Sequence, residues 1–220
     1  MKIADKEIKG IIFDLDGTLI DSCTAWHDVD IMFFKKRNMV LPDDYADAIG
    51  HIGLDKAATY TINRFNLNEK KEDIIKEWKE DVLSLYAHEI PLKPHVKEFL
   101  ELLKEKGIPF CAATANDADC YSQCLINNGI YHLFDFILEV NDYKDGKDKP
   151  TIYLAAQKKL GVNVNECCVF EDLLMALNTA KTAGFITAGV YDKTNKEEDK
   201  KKEISDFYIK DFNEIIKLIN

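Results

Sequence analysis

Two aspartates two residues apart, Asp14 and Asp16, stand at the end of the apolar run Ile8 to Phe13, in the string Asp14-Leu15-Asp16-Gly17-Thr18. In an open α/β sheet, ligands bind beyond the carboxyl ends of the strands, so this pair can act on one reaction centre. The plainer reading is a turn, because Asp and Gly are common turn residues. A second apolar run ends as Ala112-Ala113-Thr114-Ala115-Asn116. A hydroxyl on Thr114 followed by the N–H of Ala115 at a helix N-terminus suits a phosphate cradle, although threonine is equally a helix cap. Lys147, in Gly146-Lys147-Asp148-Lys149-Pro150, can neutralise phosphate and keep a nearby carboxylate ionised; taken alone it reads as a solvated charge. Phe170-Glu171-Asp172 ends a further apolar run and adds carboxylates suited to a hard cation.

The elements that must position these groups are legible as an alternation. Short, β-branched-rich runs at Ile8 to Phe13, Ile108 to Ala113, Phe136 to Val140, Cys167 to Phe170 and Phe185 to Val190 alternate with amphipathic segments. Helices are expected at Val96 to Lys106, Ala118 to Asn127, Pro150 to Leu160 and Leu173 to Ala183, and Gly129, Gly161 and Gly184 supply stop signals. This pattern predicts an α/β fold with a Rossmann-like parallel sheet. Phe207-Tyr208-Ile209 reads as an edge strand, Asp211 to Ile219 as a closing helix, and the mixed charge run Asp192 to Lys202 as a solvated loop.

Between the first two strands, a stretch from about Ser22 to Glu89 reads as almost wholly helical. Ala57, Ala58, Ile62 and Phe65, then Ile74, Ile75, Trp78, Val82 and Leu85, fall at helical spacing. A stretch of that size exceeds a simple crossover. The expected organisation is therefore an α/β core from residues 1–21 and 90–220 with an inserted all-helical subdomain at 22–89. Trp26, Phe33, Phe34, Tyr60, Phe65 and Trp78 are expected to form the core of that insert.

Composition sets outer bounds. The 220 residues carry a formal net charge of -10, which opposes binding to nucleic acid in the absence of a basic patch. No apolar run is long enough for a membrane span, and the start of the chain lacks a signal-peptide pattern, so no membrane partner is expected. The six cysteines form no CxxC pair and read as reduced core residues of a cytoplasmic protein. Oligomeric state has no signature in the sequence.

The order strand–DxDGT, helical insert, strand–Thr, Lys-x-x-Pro, strand–Glu-Asp resembles the haloacid dehalogenase superfamily over nearly the whole chain. Asp14 to Thr18 match its first motif, Thr114 the second, Lys147 the third and Glu171-Asp172 the fourth. The insert resembles the helical cap of the β-phosphoglucomutase-like and phosphoglycolate-phosphatase-like branch. The resemblance implies that Asp14 is a nucleophile that becomes an aspartyl phosphate and that Asp16 is the general acid and base. It also implies that Mg²⁺ is held by Asp14, the Asp16 carbonyl and Asp172, with Glu171 reaching it through water. Thr114, Ala115 and Lys147 would bind phosphate. The implied activity is a Mg²⁺-dependent phosphatase acting on a small phosphorylated metabolite; the dehalogenase branch lacks the aspartate at Asp16, since a halide needs no proton.

Some positions depart from the branch pattern. Asp148 and Thr151 replace a proline and an acid beside Lys147, which leaves Lys149 as a substitute cation. Leu173 and Ala176 replace the Ser and Gly that often follow the fourth motif. Thr18 after Gly17 resembles many phosphatases, whereas Trp26 occupies the place of a mutase-like histidine and His27 lies one residue beyond. A sugar phosphomutase is thus the alternative, and a non-catalytic phosphate-binding protein a remote one. Gly50-His51-Ile52-Gly53-Leu54-Asp55 resembles the turn that reaches the active site in this branch, which makes His51, Lys56 and His27 candidate substrate contacts.

Overall fold

Buried apolar strands dictate a sheet covered on both faces. The computed structural model describes residues 1–49 and 53–219. After a short antiparallel pair, β1 (Lys2–Ile3) and β2 (Lys6–Glu7), come β3 (Gly10–Phe13), β4 (Phe110–Thr114), β5 (Ile137–Glu139), β6 (Cys167–Glu171), β7 (Ile186–Val190) and β8 (Phe207–Ile209). These last six form one parallel sheet in the order β5-β4-β3-β6-β7-β8. Every residue of β3, β4, β6 and β7 is buried, as in a sheet with both faces covered. Chain order reverses at β3, which puts its carboxyl end between those of β4 and β6. Phe13 anchors the core there, its ring 4.9 Å from that of Phe170 and 5.9 Å from that of Phe110.

The helices are α1 (Ala25–Lys36), α2 (Tyr45–Ile49), α3 (Leu54–Phe65), α4 (Lys71–His88), α5 (Val96–Glu105), α6 (Ala118–Asn127), α7 (Thr151–Leu160), α8 (Leu174–Thr182), α9 (Glu198–Ile204) and α10 (Phe212–Ile216). The chain divides into two compact units, Met1–Cys23 with Ile90–Asn220, and Thr24–Glu89. The division after Asp21 expected from sequence thus differs by two residues, and Ser22 and Cys23 fall in the α/β unit. In the helical unit, α4 buries Ile74, Trp78, Val82 and Leu85 along one stripe, the spacing expected of an amphipathic helix. Rings of Phe33, Phe34, Tyr45 and Phe65 close that core edge to face or tilted.

Four expectations need correction. The N-terminal residues pair as β1 and β2, and the first central strand begins at Gly10. Trp26 is 49% exposed and is not core. Cys23 is exposed and Cys120 half-buried, so four of the six free cysteines are core residues. The run Asp192 to Lys202 is not wholly a solvated loop: it enters α9, and both Asp192 and Lys201 are buried.

Candidate active site

The register of the sheet assembles the acidic groups. β3 pairs with β6 so that Phe13 lies opposite Phe170, and the Asp14 N–H donates to the Phe170 carbonyl at 3.0 Å. Asp14 therefore emerges beside Glu171 and Asp172. One carboxylate oxygen from each of the three lies within 4.8 Å of the others, and all three residues are buried. The Lys147 ammonium donates to Asp14 and, at 2.7 Å, to Glu171 Oε1. Tyr153 Oη donates to that same Glu171 oxygen at 2.7 Å. Lys149 is exposed, so Lys147 is the lysine the fold delivers to the cluster.

Electrostatics show what this arrangement lacks. Burial pushes the Asp14 carboxyl well above the usual carboxylate range; Lys147 opposes the shift, and Glu171, Asp172 and Asp16 add to it. Asp172 is pushed up to about 7, chiefly by burial and then by Glu171 and Asp192. Burial alone would lower the Lys147 pKa, but Asp14 and Glu171 outweigh it and hold the ammonium charged. One ammonium faces three carboxylates, and Glu171 Oε2 is buried with no hydrogen-bond partner among the described residues. A hard divalent cation, which prefers oxygen ligands, fits both the excess charge and the orphaned oxygen.

Asp16 sits at the edge of this cluster, half-buried. Ser22 Oγ donates to its Oδ1 at 2.6 Å and Asn116 Nδ2 to its Oδ2 at 3.1 Å. Asn116 in turn donates its backbone N–H to Thr114 Oγ1 at 3.0 Å, which ties the second motif to the first. Thr114 is buried at the end of β4 and Ala115, next in the chain, is exposed. The loop between β3 and the helical unit turns at Gly17, whose φ is +77°. A Cβ there would lie 2.6 Å from Asp172 Oδ2 and 2.6 Å from Cys23 Sγ, so only glycine permits the approach.

Ser22, Asn116 and Tyr153 are site residues that sequence reasoning missed. Asn116, two positions past Thr114 at a strand-to-helix junction, carried a usable signal. Ser22 and Tyr153 carried none beyond proximity to a motif. The remaining candidates lie in the helical unit. Lys56 is exposed on α3, and His27 is exposed on α1. His27 borders a cavity of about 240 Å³ that is also lined by Trp26, Asp30, Leu54 and Trp78. His51, with Gly50 and Ile52, lies outside the described residues.

The sequence profile of the haloacid dehalogenase-like hydrolases matches residues 11–190. The chain belongs to that family. Within the family, it is 29% identical over 178 residues to YhcW of Bacillus subtilis, a provisionally named phosphatase, covering 80% of each chain. It is 26% identical to hexitol phosphatase B of Escherichia coli, covering 81% of each. A provisionally named β-phosphoglucomutase from Thermotoga maritima superposes with a TM-score of 0.84 at 22% identity, covering 96% of this chain and 98% of that one. This last likeness establishes the shared fold. No described helix is long and apolar enough to cross a membrane.

Proposed function

We propose that this hydrolase is a Mg²⁺-dependent phosphatase of small phosphomonoesters, with Asp14 as the nucleophile. The observation that carries the reading is the bridge from Lys147 to both Asp14 and Glu171 inside a buried carboxylate cluster. The ammonium works against the burial that raises the Asp14 pKa and so favours the ionised carboxylate that attack requires. Asp14, Asp172 and the Asp16 carbonyl would hold the cation, with Glu171 behind them; Mg²⁺ bound there supplies positive charge against the phosphoryl oxygens.

In the first step an Asp14 carboxylate oxygen bonds to phosphorus as the ester P–O bond breaks. Asp16, protonated, gives its proton to the departing alcohol oxygen. In the second, Asp16 as carboxylate takes a proton from water while that water's oxygen bonds to phosphorus. The Asp14–phosphorus bond breaks, which releases inorganic phosphate and restores both aspartates. Lys147, the Thr114 hydroxyl and the Ala115 N–H orient the phosphoryl group, as phosphoryl transfer demands positioning above all. Ser22 and Asn116 aim the Asp16 carboxylate.

The name of hexitol phosphatase B supports phosphorylated sugars or sugar alcohols as the substrate class. Six free thiols support a cytoplasmic setting. Thr18 after Gly17 favours hydrolysis over return of phosphate to a sugar. The test is phosphate release from hexitol, hexose and glycolate phosphates with Mg²⁺ and then with EDTA, for the wild type and Asp14→Asn. The expected result is Mg²⁺-dependent release that Asp14→Asn abolishes while the circular dichroism spectrum is unchanged. Turnover by Asp14→Asn near the wild-type rate would falsify the covalent scheme. Conversion of β-glucose 1-phosphate to glucose 6-phosphate, dependent on added bisphosphate and without phosphate release, would establish the mutase instead.

A further inference from the structure

Behind the acidic cluster lies a second cation that no motif announces. Lys201, on α9, is 0% exposed, and its ammonium donates to the backbone carbonyls of Asp172 at 2.7 Å and Val190 at 3.1 Å. Lysine is almost never fully buried unless paired, and these two hydrogen-bond partners are peptide oxygens. Burying an ammonium is costly unless well-placed acceptors replace its water. What Lys201 holds is therefore informative. Asn195 Nδ2 donates to the same Asp172 carbonyl at 2.9 Å, so donors from two segments after β7 converge on one oxygen. The far end of Asp172 is touched by the Thr18 hydroxyl, 3.4 Å from Oδ1. The backbone of Asp172 is thus fixed from behind while its carboxylate faces Asp14 and Glu171.

The arrangement continues outward. Asn195 donates its backbone N–H to the Asp192 carbonyl, and the Asp192 carboxylate accepts from Lys93 Nζ at 2.8 Å and from Thr194 Oγ1 at 2.6 Å. Lys93 also donates to the Tyr191 carbonyl at 2.6 Å. The loop that carries Asn195 is thereby pinned before α9 begins.

We propose that Lys201 is a positioning residue for the cation site: it anchors the Asp172 peptide and so sets the aim of the Asp172 carboxylate into the acidic cluster. The inference rests on the reading of Asp172 as a metal ligand. Groups that orient a metal-binding carboxylate typically alter metal affinity 10- to 100-fold when removed.

The test is Mn²⁺ binding, followed by loss of the free-ion electron paramagnetic resonance signal, on the full chain. Lys201→Met should bind Mn²⁺ at least about tenfold more weakly than the wild type. Lys201→Arg should recover part of the loss, and Lys202→Met, a change at an exposed neighbour, should recover wild-type affinity. In assays of the same variants, the Mg²⁺ concentration for half-maximal rate should rise while the KM for the ester at saturating Mg²⁺ stays near wild type. Unaltered Mn²⁺ affinity in a folded Lys201→Met overturns the positioning role. If that variant fails to fold, Asn195→Ala decides: weaker Mn²⁺ binding supports the anchored-carbonyl account and unchanged binding overturns it. A wild-type chain that binds no Mn²⁺ overturns the metal reading itself, an outcome distinct from the others.

Discussion

Ser22 Oγ donates to Asp16 Oδ1 at 2.6 Å, and this contact fixes one oxygen of the carboxylate that the proposed reaction needs as its proton shuttle. Asn116 occupies the other oxygen. Both oxygens of the Asp16 carboxylate are thus held by donors, the preorganisation that the proposed general acid–base role requires.

Removing the shuttle should cost more than loosening it. Asp16→Asn is expected to lower kcat by about 10²- to 10⁴-fold, the usual span for a general acid or base. Ser22→Ala should lower it by roughly tenfold, the worth of one charge-assisted hydrogen bond. Steady-state kinetics on a phosphomonoester will check both, and a Ser22→Ala enzyme slower than Asp16→Asn would contradict the assignment.

The two lysines near the third motif should separate cleanly. Lys147→Met removes the ammonium from three buried carboxylates, so activity should fall by at least about 10²-fold. Without metal it should also destabilise the fold, by about 3–5 kcal/mol as for other broken buried pairs. Lys149→Met, at an exposed position, should leave rate and melting temperature unchanged. Equal effects from the two changes would show that the cation at the cluster has been misassigned.

Asp30, 7% exposed on α1, is pushed up to about 6 by burial, with His27 opposing. Its folded pKa lies above the ordinary value of 3.8, so the folded chain keeps the proton longer than the unfolded one. The contribution is complete below about pH 4 and is lost as pH rises through about 6. It amounts to about 2–3 kcal/mol. Asp30→Asn should flatten the fall in melting temperature between about pH 4 and pH 6 and raise stability at pH 7.5. A pH profile identical to that of the wild type would show that Asp30 does not carry this dependence.

Gly17→Ala tests the close approach of Asp172. A Cβ would crowd Asp172 Oδ2 and demand a left-handed conformation from alanine, a strain of about 1–2 kcal/mol. Wild type should gain melting temperature with Mg²⁺, by about 2.7 kcal/mol of stability at a hundredfold excess over Kd. The Gly17→Ala chain should lose most of that gain in calorimetry. A full Mg²⁺ response in the variant would show that the loop can move aside.

Much of this site was legible because its groups sit on local signals. Asp14, Thr114 and Glu171-Asp172 each end an apolar run, and a parallel sheet carries the carboxyl ends of such runs to one edge. The helical insert was equally visible, since Ile74, Trp78, Val82 and Leu85 repeat with the period of a helix. Other residues had no such marker. Asn116 reaches Asp16 across 100 positions, and Lys93 reaches Asp192 across 99.

The run Asp192 to Lys202 shows why. Mixed charge normally means that water is the best partner for each side chain, and a local reading has no other partner to offer. The α/β alternation, the helical interruption and the motif residues at the strand ends could be read along the chain, because strand burial and helix periodicity act over a few residues. The choice of Lys147 over Lys149, the grip of Ser22 and Asn116 on Asp16, and the burial of Lys201 against the Asp172 carbonyl depend on how the folded chain packs distant segments together. A charged group goes inside when the packed chain supplies partners that replace its water, and those partners come from distant segments.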